Sequence, residues 1–313
     1  MSKTYLVADV GGTQIRAALF PADHPQPIKV IRTSTQGDGQ APLERLLDAL
    51  ASLWPDGDQV AAITVAAPGP LDPYEGIVYE APNVPGWENL PLKNHLRERF
   101  NVPAAIGNDA NLAALGEWRF GAGRGHNNLI YITVSTGIGG GVISDGQLLI
   151  GAHGLAGELG HTTIIPDGPH CGCGQRGHLE ALASGPSIAR WVEEQLAAGK
   201  SSILTGRQPI TAREVATAAA QNDALAVAAL RRAGTYLGIG IANFLHILNP
   251  TAIIIGGGVS RSGPHLFDAI HASLEERVLS RQYLDDLVLT TAALGDDAGL
   301  MGALALAQTV ARS

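Results

Sequence analysis

The chain writes one unit twice: an apolar run, a glycine-rich turn and a second apolar run. The first unit is Tyr5-Leu-Val-Ala8, then Asp9-Val10-Gly11-Gly12-Thr13, then Gln14 to Phe20. The second is Leu129 to Val134, then Ser135-Thr136-Gly137-Ile138-Gly139-Gly140-Gly141, then Val142-Ile143. Short apolar runs joined by glycine read as a hairpin, and the amides of such a turn can face an anion. The residue match between the units is loose, but their order is the same, which points to a duplicated fold.

Strands and helices alternate around these units, as an α/β fold requires. Helical spacing runs over Leu43 to Trp54 and Leu92 to Phe100, while Val60 to Ala67 and Ala104 to Ile106 read as strands. Helices follow over Leu112 to Phe120, Ser187 to Ala198, Thr211 to Ala220 and Ala224 to Leu248. A strand at Ala252 to Ile255 feeds Gly256-Gly257-Gly258, and a helical pattern from Pro264 to Leu279 follows. Strand, glycine cluster and helix make a nucleotide cradle. Leu287 to Thr291 is a further strand and Gly299 to Val310 a closing helix. A length of 313 residues favours two domains, and Gly121-Ala-Gly-Arg-Gly125 is a flexible break between lobes.

A formal net charge of -8 argues against a nucleic-acid surface, which needs clustered Lys and Arg. Apolar runs such as Ala252 to Ile255 are too short to span a bilayer. Met1 to Thr4 runs straight into a strand and leaves no room for a signal peptide, so the expected place is the cytoplasm.

Chemistry concentrates in Gly157-Glu158-Leu159-Gly160-His161 and in Cys171-Gly172-Cys173-Gly174-Gln175-Arg176-Gly177-His178-Leu179-Glu180. The 2 cysteines are one residue apart, so no disulfide framework is on offer. They are either incidental thiols in an exposed loop or, with His161 and His178, ligands that suit tetrahedral zinc. His170 competes with His178 for the last position. Gly172 to Gly177 fits G-x-G-x-x-G by letter, but no strand precedes it. Asn108-Asp109 either caps the helix that follows or supplies a base for phosphoryl transfer. Asp9 is either a turn residue or a carboxylate near Mg²⁺.

Taken together, Asp9-Val-Gly-Gly-Thr13, Gly107-Asn-Asp-Ala-Asn111, Thr136-Gly-Ile-Gly-Gly-Gly141, Gly157-Glu-Leu-Gly-His161 and Cys171-Gly-Cys-Gly174 resemble the ROK family of bacterial sugar kinases. The match covers almost the whole chain in order, and Pro82-Asn-Val-Pro-Gly-Trp87 looks most like the family's glucokinases. The resemblance implies an α/β, two-lobed, actin-like or hexokinase-type (ribonuclease H-like) fold with an interlobe cleft. Residues 1–107 would form the small lobe, rejoined by a C-terminal helix at 299–313, and residues 108–298 the large lobe with the zinc loop.

Carried over by motif, Gly69, Asn83, Asn108, Asp109, Glu158, His161 and Glu180 would surround the sugar, with Asp109 as base for the 6-hydroxyl. Asp9, Gly11, Gly12, Thr13, Thr136 and Gly137 would meet ATP phosphates and Mg²⁺, and Gly256, Gly257 and Gly258 the adenosine. A structural Zn²⁺ would be held by His161, Cys171, Cys173 and His178. The family's zinc loop reads C-x-C-G-x-x-G-C, and here His178 replaces the last cysteine. The implied activity is ATP-dependent phosphorylation of glucose by a homodimer, with neither nucleic acid nor membrane as partner. An N-acylhexosamine kinase or another hexose kinase is the alternative enzyme. A sugar-responsive regulator is the alternative outside enzymes, although such regulators carry an N-terminal helix-turn-helix and Asp9 here begins the phosphate loop almost at once.

Overall fold

The computed structural model describes residues 3–37, 39–57 and 59–311. Met1 and Ser2, part of the argument for an unprocessed start, and Arg312 and Ser313, the end of the expected closing segment, lie outside the described residues.

The first half builds one five-stranded sheet. β1 (Lys3–Val10), β2 (Gln14–Pro21) and β3 (Lys29–Ser34) form an antiparallel meander, and after helix α1 (Pro42–Ala51) strand β4 (Gln59–Ala67) runs parallel to β1. β5 (Leu71–Asp72), β6 (Ile77–Glu80) and β7 (Glu88–Leu90) make a small sheet of their own. Helix α2 (Leu92–Phe100) then leads to β8 (Ala104–Asn108), parallel to β4. The strand order is β3-β2-β1-β4-β8.

Helix α3 (Asp109–Phe120) connects to a second sheet laid out by the same rule. β9 (Leu129–Val134), β10 (Ile138–Ser144) and β11 (Gln147–Leu148) repeat the antiparallel meander. Helices α4 (Leu179–Ala183), α5 (Gly185–Ala197), α6 (Ala212–Ala220) and α7 (Ala224–Leu248) precede β12 (Ala252–Gly256), which runs parallel to β9. Helix α8 (Pro264–Arg277) leads to β13 (Val288–Thr291), parallel to β12, and α9 (Ala298–Val310) closes the chain. The order β11-β10-β9-β12-β13 reproduces the first sheet strand for strand. The loose echo in sequence is therefore a repeat in topology.

Burial follows from this layout. β4 and β12 lie inside their sheets and are apolar on both faces, whereas edge strand β3 is half-exposed. The largest core packs α7 against the second sheet through Leu237, Ile241, Ile253 and Ile255. Helix α9 returns to the first sheet, where Leu300, Ala303 and Leu304 cover Tyr5, Val7 and Phe20. It crosses α3 at close range: a Cβ on Gly302 would lie 1.7 Å from the Leu112 carbonyl oxygen, and one on Gly116 2.6 Å from that of Ala298. Among the described residues, no helix is long and apolar enough to cross a membrane.

Two local expectations change. Gly139, Gly140 and Gly141 belong to β10 and not to the turn. Gly139 and Gly141 make room for α3, since a Cβ on Gly139 would lie 2.9 Å from the Ala110 Cβ and one on Gly141 2.5 Å from the Ala114 Cβ, while Gly140 makes room for Leu159. The break at Gly121–Gly125 is tied down at its start: buried Glu117 accepts the Ala122 N–H at 2.8 Å, and its carbonyl accepts the Gly123 N–H at 2.9 Å.

Candidate active site and metal centre

At the end of β8, Asn108 caps α3. Its Oδ1 accepts the N–H groups of Ala110 at 3.0 Å and Asn111 at 3.1 Å, and its Nδ2 donates to the Gly69 carbonyl at 3.2 Å. Gly69 has φ +83° and approaches the Glu80 carbonyl so closely that a Cβ would sit 1.9 Å from it. Asp109 is the first helical residue, where a negative charge meets the positive end of the helix. Burial, its largest influence, pushes its carboxyl up to about 6, with Asp9 and Glu158 adding to the rise and the Ala110 N–H opposing it. The alternatives read from sequence thus separate: Asn108 is the principal cap, and Asp109 lies within electrostatic reach of carboxylates from both halves of the chain.

The β1–β2 turn brings Asp9 to the start of α9. A Cβ on Gly299 would lie 2.6 Å from Asp9 Oδ2, so this glycine admits the carboxylate to the helix N-terminus. Arg16, one residue pair across the hairpin, bonds Asp9 at 2.5 Å and Asp297 at 3.2 Å. Burial raises the Asp9 carboxyl above its usual range, and Arg16 works against that rise. Gly12 packs on Asn83, where a Cβ would meet the Asn83 Cβ at 2.6 Å. Gln36 donates to the Asn83 carbonyl at 3.2 Å. Gly11 and exposed Thr13 are held by Thr35, whose Oγ1 bonds the Gly11 carbonyl at 2.5 Å and whose N–H bonds that of Thr13 at 2.9 Å.

The second turn closes through the Ser135 N–H, which bonds the Gly137 carbonyl at 2.8 Å, and leaves Thr136 exposed. Gly137 lies against Glu180. Gly257, with φ +80°, packs on the Val134 carbonyl one residue before this turn, and Gly256 packs on the Tyr131 ring. A Cβ on Gly258 would meet nothing within 4 Å, so the cradle is open there.

The ligand atoms of His161, Cys171, Cys173 and His178 lie within 4.8 Å of one another. Tetrahedral bonds to zinc of about 2.0–2.3 Å put neighbouring ligand atoms roughly 3.3–3.8 Å apart. Three of the six edges match: 3.3 Å from Cys173 Sγ to His178 Nδ1, 3.4 Å between the two Nδ1 atoms, and 3.7 Å from Cys171 Sγ to His161 Nδ1. His161 turns its other nitrogen, Nε2, towards Glu158 at 4.0 Å. His170 is exposed, pairs with Arg176 in an isolated bridge and does not join the cluster.

Arg16 and Asn111, to which the sequence assigns no role, also shape the site. Arg16 is the one charged residue in a largely apolar strand, a pattern that calls for a carboxylate partner. Asn111 donates to the Ala156 carbonyl at 3.3 Å and so holds the segment just before Glu158. Its partner is 45 positions away, which no local pattern signals.

The model of the ROK family fits residues 5–310. The chain belongs to the ROK family. Among ROK relatives, a glucokinase of Halalkalibacterium halodurans is 39% identical over 95% of this chain and 93% of its own length. The structure of a ROK family glucokinase from Streptomyces griseus, in complex with glucose and AMPPNP, is 34% identical with a TM-score of 0.81, covering 98% of this chain and 99% of that one. A ROK family transcriptional regulator, homolog of the E. coli MLC protein, superposes with a TM-score of 0.89 at 29% identity, over 99% of this chain and 79% of that one. Such neighbours identify the two repeated sheets as the actin-like, hexokinase-type ROK fold.

Proposed function

We propose that this chain transfers the terminal phosphoryl group of ATP to the 6-hydroxyl of glucose, with Asp109 accepting the hydroxyl proton. The observation that carries this reading is the setting of Asp109: a helix-start carboxylate, flanked by the charges of Asp9 and Glu158, pushed up to about 6. Such a group is ionised at neutral pH yet basic enough to take a proton as the bond to phosphorus forms. Full-length likeness to a glucokinase and to a glucose complex supports the choice of sugar.

On this reading Gly69, Asn83, Asn108, Glu158, His161 and Glu180 pair with the sugar hydroxyls, and an analogue lacking one hydroxyl leaves a buried partner unsatisfied. Asp9, Gly11, Gly12 and Thr13 face the transferred phosphate from one side, and Thr136 and Gly137 from the other. Gly256, Gly257 and Gly258 lie beside the adenosine. Asp9 is the carboxylate for Mg²⁺, which when bound offsets the phosphate charge. His161, Cys171, Cys173 and His178 hold a structural zinc, and His161 thereby presents Nε2 to the sugar in a fixed direction.

Residues 1–107 with 299–313 form one lobe and 108–298 the other, closing to exclude water so that phosphate reaches the sugar. The molecule is read as a cytoplasmic homodimer. A sugar-responsive regulator is the second reading, favoured by the TM-score of 0.89 to one. Against it stands the formal net charge of -8, a poor match for a polyanion.

A coupled ATP assay over glucose, mannose, fructose and N-acetylmannosamine tests the proposal. Turnover highest on glucose is expected, and turnover highest on N-acetylmannosamine would make the chain an N-acylhexosamine kinase. Duplex DNA binding without ATP turnover would make it a regulator.

A further inference from the structure

Glu180 touches both the cysteine loop and the turn after β9. Its Oε2 accepts the Ile138 N–H at 2.9 Å, and its Oε1 stands 3.3 Å from Cys171 Sγ. The peptide group between Gly137 and Ile138 is consequently held at both ends. Its N–H points to Glu180, and its carbonyl oxygen accepts the Ser135 N–H at 2.8 Å. A hydrogen bond to a carboxylate is roughly twice as strong as one between neutral groups, so this contact can set the direction of the peptide plane. Gly137 makes it possible, because a Cβ there would come within 2.5 Å of Oε2.

The carboxylate is itself anchored. Helix α4, which carries it, is fixed by the Leu179 N–H to the Thr162 carbonyl at 3.0 Å and by the Ser187 hydroxyl to the Glu180 carbonyl at 2.9 Å. At the start of α5 the Gly185 N–H bonds the Ser135 carbonyl at 2.8 Å, so the turn is gripped by the same helical segment at a second point. We infer that Glu180 is a positioning residue for the nucleotide: it orients the 137–138 peptide and thereby holds the Ser135–Gly137 turn in the shape that receives phosphate. The inference rests on the kinase reading of that turn and adds to Glu180 a task distinct from contact with the sugar. Each carboxylate oxygen keeps a second lone pair, so a sugar hydroxyl can be accepted as well.

The test is direct binding of Mg²⁺·AMPPNP, without sugar, to wild-type protein, Glu180→Gln, Glu180→Ala and Gly137→Ala, alongside glucose binding to each. Glutamine keeps an oxygen acceptor for the Ile138 N–H, and alanine does not. Glu180→Ala is expected to weaken nucleotide binding about tenfold or more, the scale of one lost charge-assisted hydrogen bond. Glu180→Gln should lose clearly less than Glu180→Ala, since a neutral acceptor remains where the charge is gone. Gly137→Ala, which pushes the carboxylate away with α4 left unaltered in sequence, should behave like Glu180→Ala. A residue that serves only the sugar would leave the nucleotide affinities of both Glu180 variants equal to wild type, with glucose alone affected, and that result overturns the inference while the kinase reading stands. Equal loss in Glu180→Gln and Glu180→Ala also overturns it. A wild-type protein that binds glucose but not the nucleotide overturns both.

Discussion

Asn108 caps the helix that Asp109 begins. Because the Asn108 amide oxygen accepts both the Ala110 and Asn111 N–H groups, the Asp109 carboxylate, which accepts the Ala110 N–H at 2.8 Å, keeps lone pairs for a ligand. Asp109→Asn preserves size and helix start but removes the proton acceptor. Turnover should fall about 10²–10⁴-fold, the usual worth of a positioned base, while glucose affinity changes little. A near-wild-type kcat in the coupled assay would remove Asp109 from that role.

The raised Asp109 carboxyl also sets a pH profile. Its ordinary value is 3.8 and in the fold it is about 6, so the basic form is present above about 6. kcat/KM for glucose should therefore be flat near neutrality and fall about tenfold per pH unit below that point, as a single essential base requires. The stability sign is opposite. A carboxyl raised by folding is better tolerated protonated, so wild-type stability from this group is lost as pH rises from 3.8 through about 6. Asp109→Asn should melt at a higher temperature than wild type at pH 8, with the difference shrinking towards pH 4 in paired melts at those two values.

The motifs were legible where they are local. Asp9 to Thr13, Asn108-Asp109 and Cys171 to His178 each declare themselves within a few residues, and the alternation of apolar runs gave the α/β class. What sequence hides is pairing at a distance. Arg16 meets Asp297 across 281 positions, and Glu117 meets Ala293 across 176. The strands of the small sheet are 2, 4 and 3 residues long, too short to show a period. Gly139 to Gly141 look like a turn because glycine usually marks one, yet here tertiary packing against α3 and Leu159 decides.

Glu117 shows how one such distant pairing supports the site. It is fully buried and accepts N–H groups from Ala122 at 2.8 Å, Ala293 at 3.1 Å and Leu294 at 2.7 Å, joining α3 to the segment that leads into α9. Glu117→Ala leaves these donors without their partner, each at a cost of about 1–3 kcal/mol. Chemical denaturation should show a loss of about 3 kcal/mol or more. A loss below about 1 kcal/mol would mean that water or other groups replace the carboxylate.

The replacement of the family's last loop cysteine by His178 makes a prediction about metal that separates two neighbouring histidines. His178 Nδ1 lies 3.3 Å from Cys173 Sγ and 3.4 Å from His161 Nδ1, edges that a tetrahedral ion spans, whereas His170 is exposed and outside the cluster. Elemental analysis of purified protein should find about one zinc per chain, as a single four-ligand site holds one ion. His178→Ala should lose or weaken that zinc, and His170→Ala should retain it. His178→Cys, which restores the family's thiolate, should bind zinc at least as well in competition with a chromogenic chelator. If His170→Ala loses the metal and His178→Ala keeps it, the ligand set is wrong. Since His161 would present Nε2 beside Glu158 only while Nδ1 is held, zinc loss in His178→Ala should also weaken glucose binding, measured by titration at constant protein fold.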